Sequence, residues 1–159
     1  ILHSPVFPVT KLQRVWQKME EFYDKKEVGA LGISNCYDLD VLKYLFNNAK
    51  VKPSIVQNRF YAQSGYDKEL RAFCKQNNIT YESFWSLSAN PDILISEVLQ
   101  NLINKYQKSA AEIFYRFLNH IEIVPLNGTT SKKHMMEDLK IGEFELLDRE
   151  IEEITQLLH

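Results

Sequence analysis

A chain of 159 residues, 45% hydrophobic and 12% aromatic, holds enough apolar material for one core and too little length for two independent domains. A single domain over residues 1–159 is expected. Its 19 basic and 21 acidic residues leave a net charge of −2 with no basic stripe, which argues against nucleic acid as a partner. No apolar run approaches the ~18 residues that cross a bilayer, and no signal-peptide pattern opens the chain, so a soluble, cytoplasmic protein without membrane contact is expected.

The chain begins Ile1-Leu2-His3 in what reads as the end of a strand, without a methionine, so residue 1 is not expected to start the natural gene product. A helix then follows Thr10, which is placed to cap it, with Leu12, Val15, Trp16, Met19, Phe22 and Tyr23 on one face. Val28 to Ile33 is too short for a helix and reads as a buried strand. Next come a helix over Asp38 to Asn48, a strand over Ser54 to Gln57, a helix over Asp67 to Asn77 and a strand over Ile79 to Phe84. One helical region runs from Pro91 with Leu94, Val98, Leu99, Leu102 and Ile103 as its stripe. A further helix opened by Ser109 carries Ile113, Phe114, Phe117 and Leu118. Ile121 to Pro125 is the last strand, and helices near Lys132 to Leu139 and Asp148 to Leu158 close the chain. Cys36 and Cys74 lack metal-ligand spacing and read as buried, reduced thiols, so no metal is expected.

Strands alternating with helices imply parallel neighbours joined by crossovers. A doubly wound open sheet would carry a phosphate-binding glycine-rich turn after an early strand, and neither G-x-G-x-x-G nor a P-loop occurs. The other closure is a (β/α)₈ barrel, whose complete form needs about 250 residues. The expected fold is therefore α/β, a partial barrel of four or five units with parallel strands and outer helices. Polar and aromatic groups follow each strand: His3, Ser34-Asn35, Gln57-Asn58 and Phe84-Trp85. Such positions share the face of a parallel barrel that carries active sites.

The run Trp16-Gln17-Lys18-Met19-Glu20, then Gly32-Ile33-Ser34-Asn35, then Lys52-Pro53 leading to Val56-Gln57, resembles the aldo-keto reductase signature in order and spacing. So do Phe73-Cys74 with Ile79, Phe84-Trp85-Ser86-Leu87, Lys108-Ser109-Ala110-Ala111, Val124-Pro125 and Phe144-Glu145-Leu146. The resemblance covers essentially the whole chain and implies the second half of that family's barrel. It implies an oxidoreductase using NADPH, with NADH possible, to reduce an aldehyde or ketone, with a tyrosine supplying the proton. Ser34, Asn35 and Gln57 would then hydrogen-bond the nicotinamide carboxamide, and Phe84 would stack on the ring. Trp85 and Leu87 would pass near the pyrophosphate. His3 matches the histidine that orients the carbonyl in the oxyanion pocket.

Three departures from the family pattern stand out. Pro125-Leu126-Asn127 replaces Pro-Lys-Ser, and the base expected near the 2′-phosphate is His134, preceded by Lys132 and Lys133. Glu137-Asp138 stands where the family has Glu-Asn. The family's catalytic aspartate, tyrosine and lysine would precede Ile1, and none of the eight tyrosines here corresponds to the missing one. The chain alone is therefore expected to be inactive, and to self-associate through exposed barrel edges. The rival reading is a non-catalytic ligand- or partner-binding module on the same scaffold.

Overall fold

The computed structural model describes residues 1–158 and contains four strands, β1 (Gly32–Ser34), β2 (Ile55–Arg59), β3 (Thr80–Phe84) and β4 (Ile123–Pro125), hydrogen-bonded in chain order. Helices separate them, as parallel neighbours require. The chain divides into two compact units, Ile1–Asn58 with Asp67–Glu82, and Arg59–Tyr66 with the residues from Ser83 onward.

In the first unit, helix α1 (Val9–Asp24) packs against α2 (Leu39–Asn48). Thr10 does not cap α1: the helix starts two residues earlier than a Thr10 cap requires, directly after Pro8, whose restricted φ leads the chain into it. Its buried stripe is Leu12, Trp16 and Glu20, while Phe22 and Tyr23, expected on that face, are exposed in the last turn. Glu20 is buried because α1 clamps the backbone of one residue, Val51, in the loop before β2. The Trp16 indole donates to the Val51 carbonyl (2.9 Å), and the Val51 N–H donates to Glu20 (2.9 Å). Such pairing removes the cost of burying both backbone groups.

β1 is shorter than expected and ends one residue later, because pairing begins only at Gly32. Gly32, Ile33 and Ser34 lie opposite Ile55, Val56 and Gln57 in a parallel ladder. A Cβ at Gly32 would sit 2.9 Å from the Ile55 Cβ, so this crossing needs glycine. Leu2 forms a single parallel bridge with Ile33, at the place where the sequence reads as the end of a strand. Asp38 caps α2 by accepting from the Asp40 and Val41 N–H groups. Before α3 (Lys68–Gln76) the chain makes an unanticipated 3₁₀ segment, Ala62–Asp67, with left-handed backbone at Gly65, Tyr66 and Asp67.

The second unit centres on α6 (Ala110–His120), whose Ile113, Phe114, Phe117 and Leu118 are fully buried as its stripe requires. Ser109 caps it in a reciprocal box with Glu112. The helical region from Pro91 is two helices, α4 (Pro91–Leu94) and α5 (Glu97–Tyr106), because Ser96 accepts from the Leu99 N–H and starts a new helix. Ile121 and Glu122 do not belong to β4: Glu122 adopts a left-handed φ of 62° in the turn after α6. Helices α7 (Lys132–Asp138) and α8 (Asp148–Thr155) close the unit.

Glu150 ties α8 to α5. Its carboxylate, 4% exposed, accepts from Lys105 (2.5 Å), the Tyr106 hydroxyl (2.6 Å) and the Leu147 N–H (2.8 Å). Burial alone would raise its pKa, but these donors outweigh burial and hold it below the ordinary carboxylate value. A carboxyl that is more acidic when folded stabilises the protein above its unfolded pKa, near 4.5, and that contribution fades as pH falls through the lower folded value. Glu150→Gln is expected to lose roughly 1–3 kcal/mol at neutral pH. As pH falls from 4.5 through the lower folded value, its unfolding midpoint should converge with that of the parent; parallel curves in urea melts across this range would refute the assignment.

Candidate functional site

The first unit brings Ser34, Asn35 and Gln57 together at the ends of β1 and β2. The Ser34 hydroxyl donates to the Gln57 carbonyl (2.8 Å), which also accepts from the Asn35 N–H (3.1 Å). Asn35 turns back on itself at φ 51°, a left-handed conformation asparagine tolerates. Its Nδ2 donates to the His3 carbonyl (2.8 Å) and to the Ser34 Oγ (3.2 Å). The Gln57 Nε2 donates to the Glu82 carboxylate (2.8 Å). His3 thus joins the cluster through its backbone, while its exposed imidazole makes no hydrogen bond among the described residues.

A buried second layer holds this turn. Asn58, fully buried on the opposite side of β2, accepts from the Cys36 N–H (2.9 Å) and donates to the Cys36 carbonyl (2.8 Å) and to Asp67 (2.7 Å). Tyr81 donates to the same Asp67 oxygen (2.8 Å). Consecutive strand residues therefore divide the work, with Gln57 in the cluster and Asn58 in the scaffold. Burial pushes the Cys36 and Cys74 thiols up to about 12, so both stay protonated and inert at neutral pH. Among the described residues no cluster of metal-binding side chains occurs, and no helix is long and apolar enough to cross a membrane.

In the second unit, Phe84 ends β3 half-buried. Trp85 follows in a left-handed conformation (φ 58°), 59% exposed, with the Arg59 guanidinium 4.0 Å from its ring centre. Leu87, Asn127, His134 and Asp138 line one cavity of about 240 Å³, together with Ser109, Ala111, Tyr115, Gly128, Thr129 and Glu137. Leu126 lies outside it, its N–H donating to the Ser83 carbonyl (2.7 Å). Asp138 accepts from the Asn127 Nδ2 (2.8 Å), and burial raises its carboxyl above the usual range. An amide is therefore present at the cavity wall, supplied by Asn127 where the family pattern has an asparagine at 138.

Residues 1–91 match the model of the Aldo/keto reductase family. The chain belongs to this family. It is 30% identical over 149 residues to the 9,11-endoperoxide prostaglandin H2 reductase of Trypanosoma cruzi, covering 92% of this chain and 52% of that protein. It is 29% identical over 147 residues to the glyoxal reductase of Bacillus subtilis, with the same coverage of both chains. The chain spans about half the length of these curated relatives. Among solved structures, an aldo-keto reductase from a deep-sea metagenome library superposes with a TM-score of 0.87 at 23% identity, over 99% of this chain and 59% of that one. A silkworm aldo-keto reductase complexed with NADPH gives 0.77 at 22% identity, over 91% and 47%. The α/β fold is thus part of the aldo-keto reductase (β/α)₈ barrel, and the doubly wound alternative falls away.

Several residues of these clusters carry no signal in the reductase motifs. Glu82 reads as an ordinary strand position. Tyr115 falls outside the apolar stripe read for its helix, and Thr129 sits in a turn whose course periodicity does not fix. Lys105, Tyr106 and Glu150 form a tyrosine–lysine–carboxylate cluster, but its geometry opposes acid catalysis. Burial, then the Glu150 carboxylate, raises the Tyr106 pKa, and the hydroxyl is spent on Glu150.

Proposed function

We propose that this chain supplies the nicotinamide-binding part of an NAD(P)H-dependent aldo-keto reductase that reduces aldehydes or ketones to alcohols. The observation that carries the reading is the hydrogen-bond inventory of the first unit. Both Asn35 N–H groups are taken by acceptors, so Oδ1 is what it offers a ligand. The Ser34 proton is given to a carbonyl, leaving an oxygen lone pair. Gln57 turns its nitrogen to Glu82 and keeps Oε1 and one N–H. Three acceptors and one donor suit a primary carboxamide, which brings two N–H donors and one acceptor. That set fits the nicotinamide substituent, which Ser34, Asn35 and Gln57 would hold.

When bound, the nicotinamide supplies hydride to the substrate carbonyl. Phe84 offers a flat apolar face for ring stacking, and Trp85 and Leu87 are assigned to the cofactor on the family pattern. The cavity of the second unit is assigned to the adenosine end, with Asn127 as its amide and His134 in the place of the family's basic residue. Asp138 orients Asn127 there. Lys132 and Lys133 add positive charge nearby, while Leu126 supplies none, so NADPH is assigned as the cofactor with NADH as a competitor. His3 is assigned to orient the carbonyl.

Titration of NADPH and NADH against the chain tests the reading. Stacking contributes roughly 0.5–1.5 kcal/mol beyond area burial, so Phe84→Ala should weaken binding about threefold to tenfold. Equal affinities would remove Phe84 from the site. Absence of binding by either cofactor would leave the non-catalytic module as the better account.

A further inference from the structure

We infer that Glu82 is a positioning residue that fixes the direction of the Gln57 amide, so that the site reads the ligand's carboxamide as a hydrogen-bond donor; this rests on the nicotinamide reading above. Glutamate is disfavoured in strand interiors, where β-branched and aromatic side chains pack better. Here it stands in the middle of β3, half-buried, between the buried Tyr81 and Ser83. Its carboxylate takes a 2.8 Å hydrogen bond from the Gln57 Nε2. An ionised carboxylate accepts and never donates, so it can bind only the nitrogen of that amide. An unpinned glutamine presents either end, because its two ends are nearly equal in shape. With Glu82 in place, Gln57 keeps its carbonyl oxygen, beside the one N–H that Glu82 does not take, for a ligand.

Asn35 is fixed by the same logic, since its Nδ2 faces the His3 carbonyl, which is also acceptor-only. Both amides of the cluster are therefore oriented by groups that cannot accept the reverse arrangement. Such a site favours a ligand with two N–H groups on one nitrogen over one of the same shape that lacks them. A ligand without those donors would leave the Gln57 and Asn35 oxygens facing an apolar group without a proton, which is costly once water is excluded.

The probes are the oxidised nicotinamide dinucleotide and its 3-acetylpyridine analogue, in which a methyl replaces the carboxamide nitrogen and removes both donors. Their affinities for the intact chain are compared in the parent, in Glu82→Gln and Glu82→Ala, and in Gln57→Ala with and without Glu82→Gln. The parent should favour the carboxamide about threefold to tenfold or more. Glu82→Gln, which keeps size but can donate to the Gln57 oxygen and turn the amide round, should bring that ratio toward one. In the Gln57→Ala background the same change should alter nothing, because Glu82 acts through Gln57. A ratio is unaffected by a partial loss of folded protein, and thermal melts of the isosteric variant check folding directly.

The Gln57 side-chain amide resonances give a readout independent of cofactor, and should shift when Glu82 is replaced. If the dinucleotide binds and the ratio in Glu82→Gln equals the parent's, this inference falls while the nicotinamide reading stands. If the amide shifts but neither dinucleotide binds the parent, the nicotinamide reading fails and takes this inference with it. An effect of Glu82→Gln that persists in Gln57→Ala would also overturn it, by showing that Glu82 acts elsewhere.

Discussion

Purified as this chain, the polypeptide is expected to reduce no aldehyde or ketone with NADPH or NADH, at least ~10²-fold below an aldo-keto reductase with its general acid in place. The deciding groups are the tyrosines. A useful proton donor needs a hydroxyl free to face the substrate and a pKa drawn down toward neutrality. Burial moves Tyr66, Tyr81 and Tyr106 the opposite way and pushes Tyr115 up to about 12. Tyr81 and Tyr106 also donate their protons to the carboxylates of Asp67 and Glu150, and Tyr44 donates to Gln13. Tyr115 lines the cavity of the second unit, but burial makes its hydroxyl a weaker proton donor than an ordinary tyrosine, the reverse of what acid catalysis at neutral pH asks for. Cofactor oxidation monitored by absorbance, with glyoxal and an aromatic aldehyde as probes, gives the measurement. Turnover that copurifies with the chain and disappears in His3→Ala would show that the acid has been misassigned.

Legibility in the sequence followed how each residue's role is encoded. That Ser34, Asn35 and Gln57 meet at the ends of β1 and β2 is readable because strand ends are marked by composition. Their hydrogen-bond polarity was not readable, since it depends on what faces them. The His3 carbonyl and Glu82 come from sequence positions 32 residues before Asn35 and 25 after Gln57. In sequence Asn58 is one half of a polar pair with Gln57, yet alternation along β2 sends it to the buried side, where it clamps Cys36. Thr10 and Ser96 show the same limit for helices. Both are good cap residues, but only Ser96 has a helix start at the right register, because Pro8 had already begun α1. Glu20 lies on an apolar stripe, and its burial became intelligible only with Val51 in view.

Phe114→Ala should be the most damaging single replacement in the second unit. The side chain is fully buried in α6, its ring centre 6.3 Å from that of Phe60 and 5.8 Å from that of Phe117. Removing it deletes a large apolar surface and leaves a hole lined by aromatic rings, which cannot collapse without shifting α6. Core Phe→Ala changes cost roughly 3–5 kcal/mol, a large share of the roughly 5–15 kcal/mol that holds a typical domain folded. Phe114→Leu keeps most of the volume and should cost much less. The effect bears on the site as well, because the same helix carries Tyr115 in the cavity wall, and the Ser109 cap at its start lines the cavity too. A loosened α6 should therefore weaken NADPH binding in whatever fraction of Phe114→Ala remains folded, while Phe114→Leu retains it. Urea unfolding followed by far-UV circular dichroism supplies the test, with an unchanged slope marking a change in stability and not in the unfolded state. A loss below about 1 kcal/mol for Phe114→Ala would mean that the aromatic cluster is not the anchor of α6, and the proposed link from core packing to the adenosine cavity would fail with it.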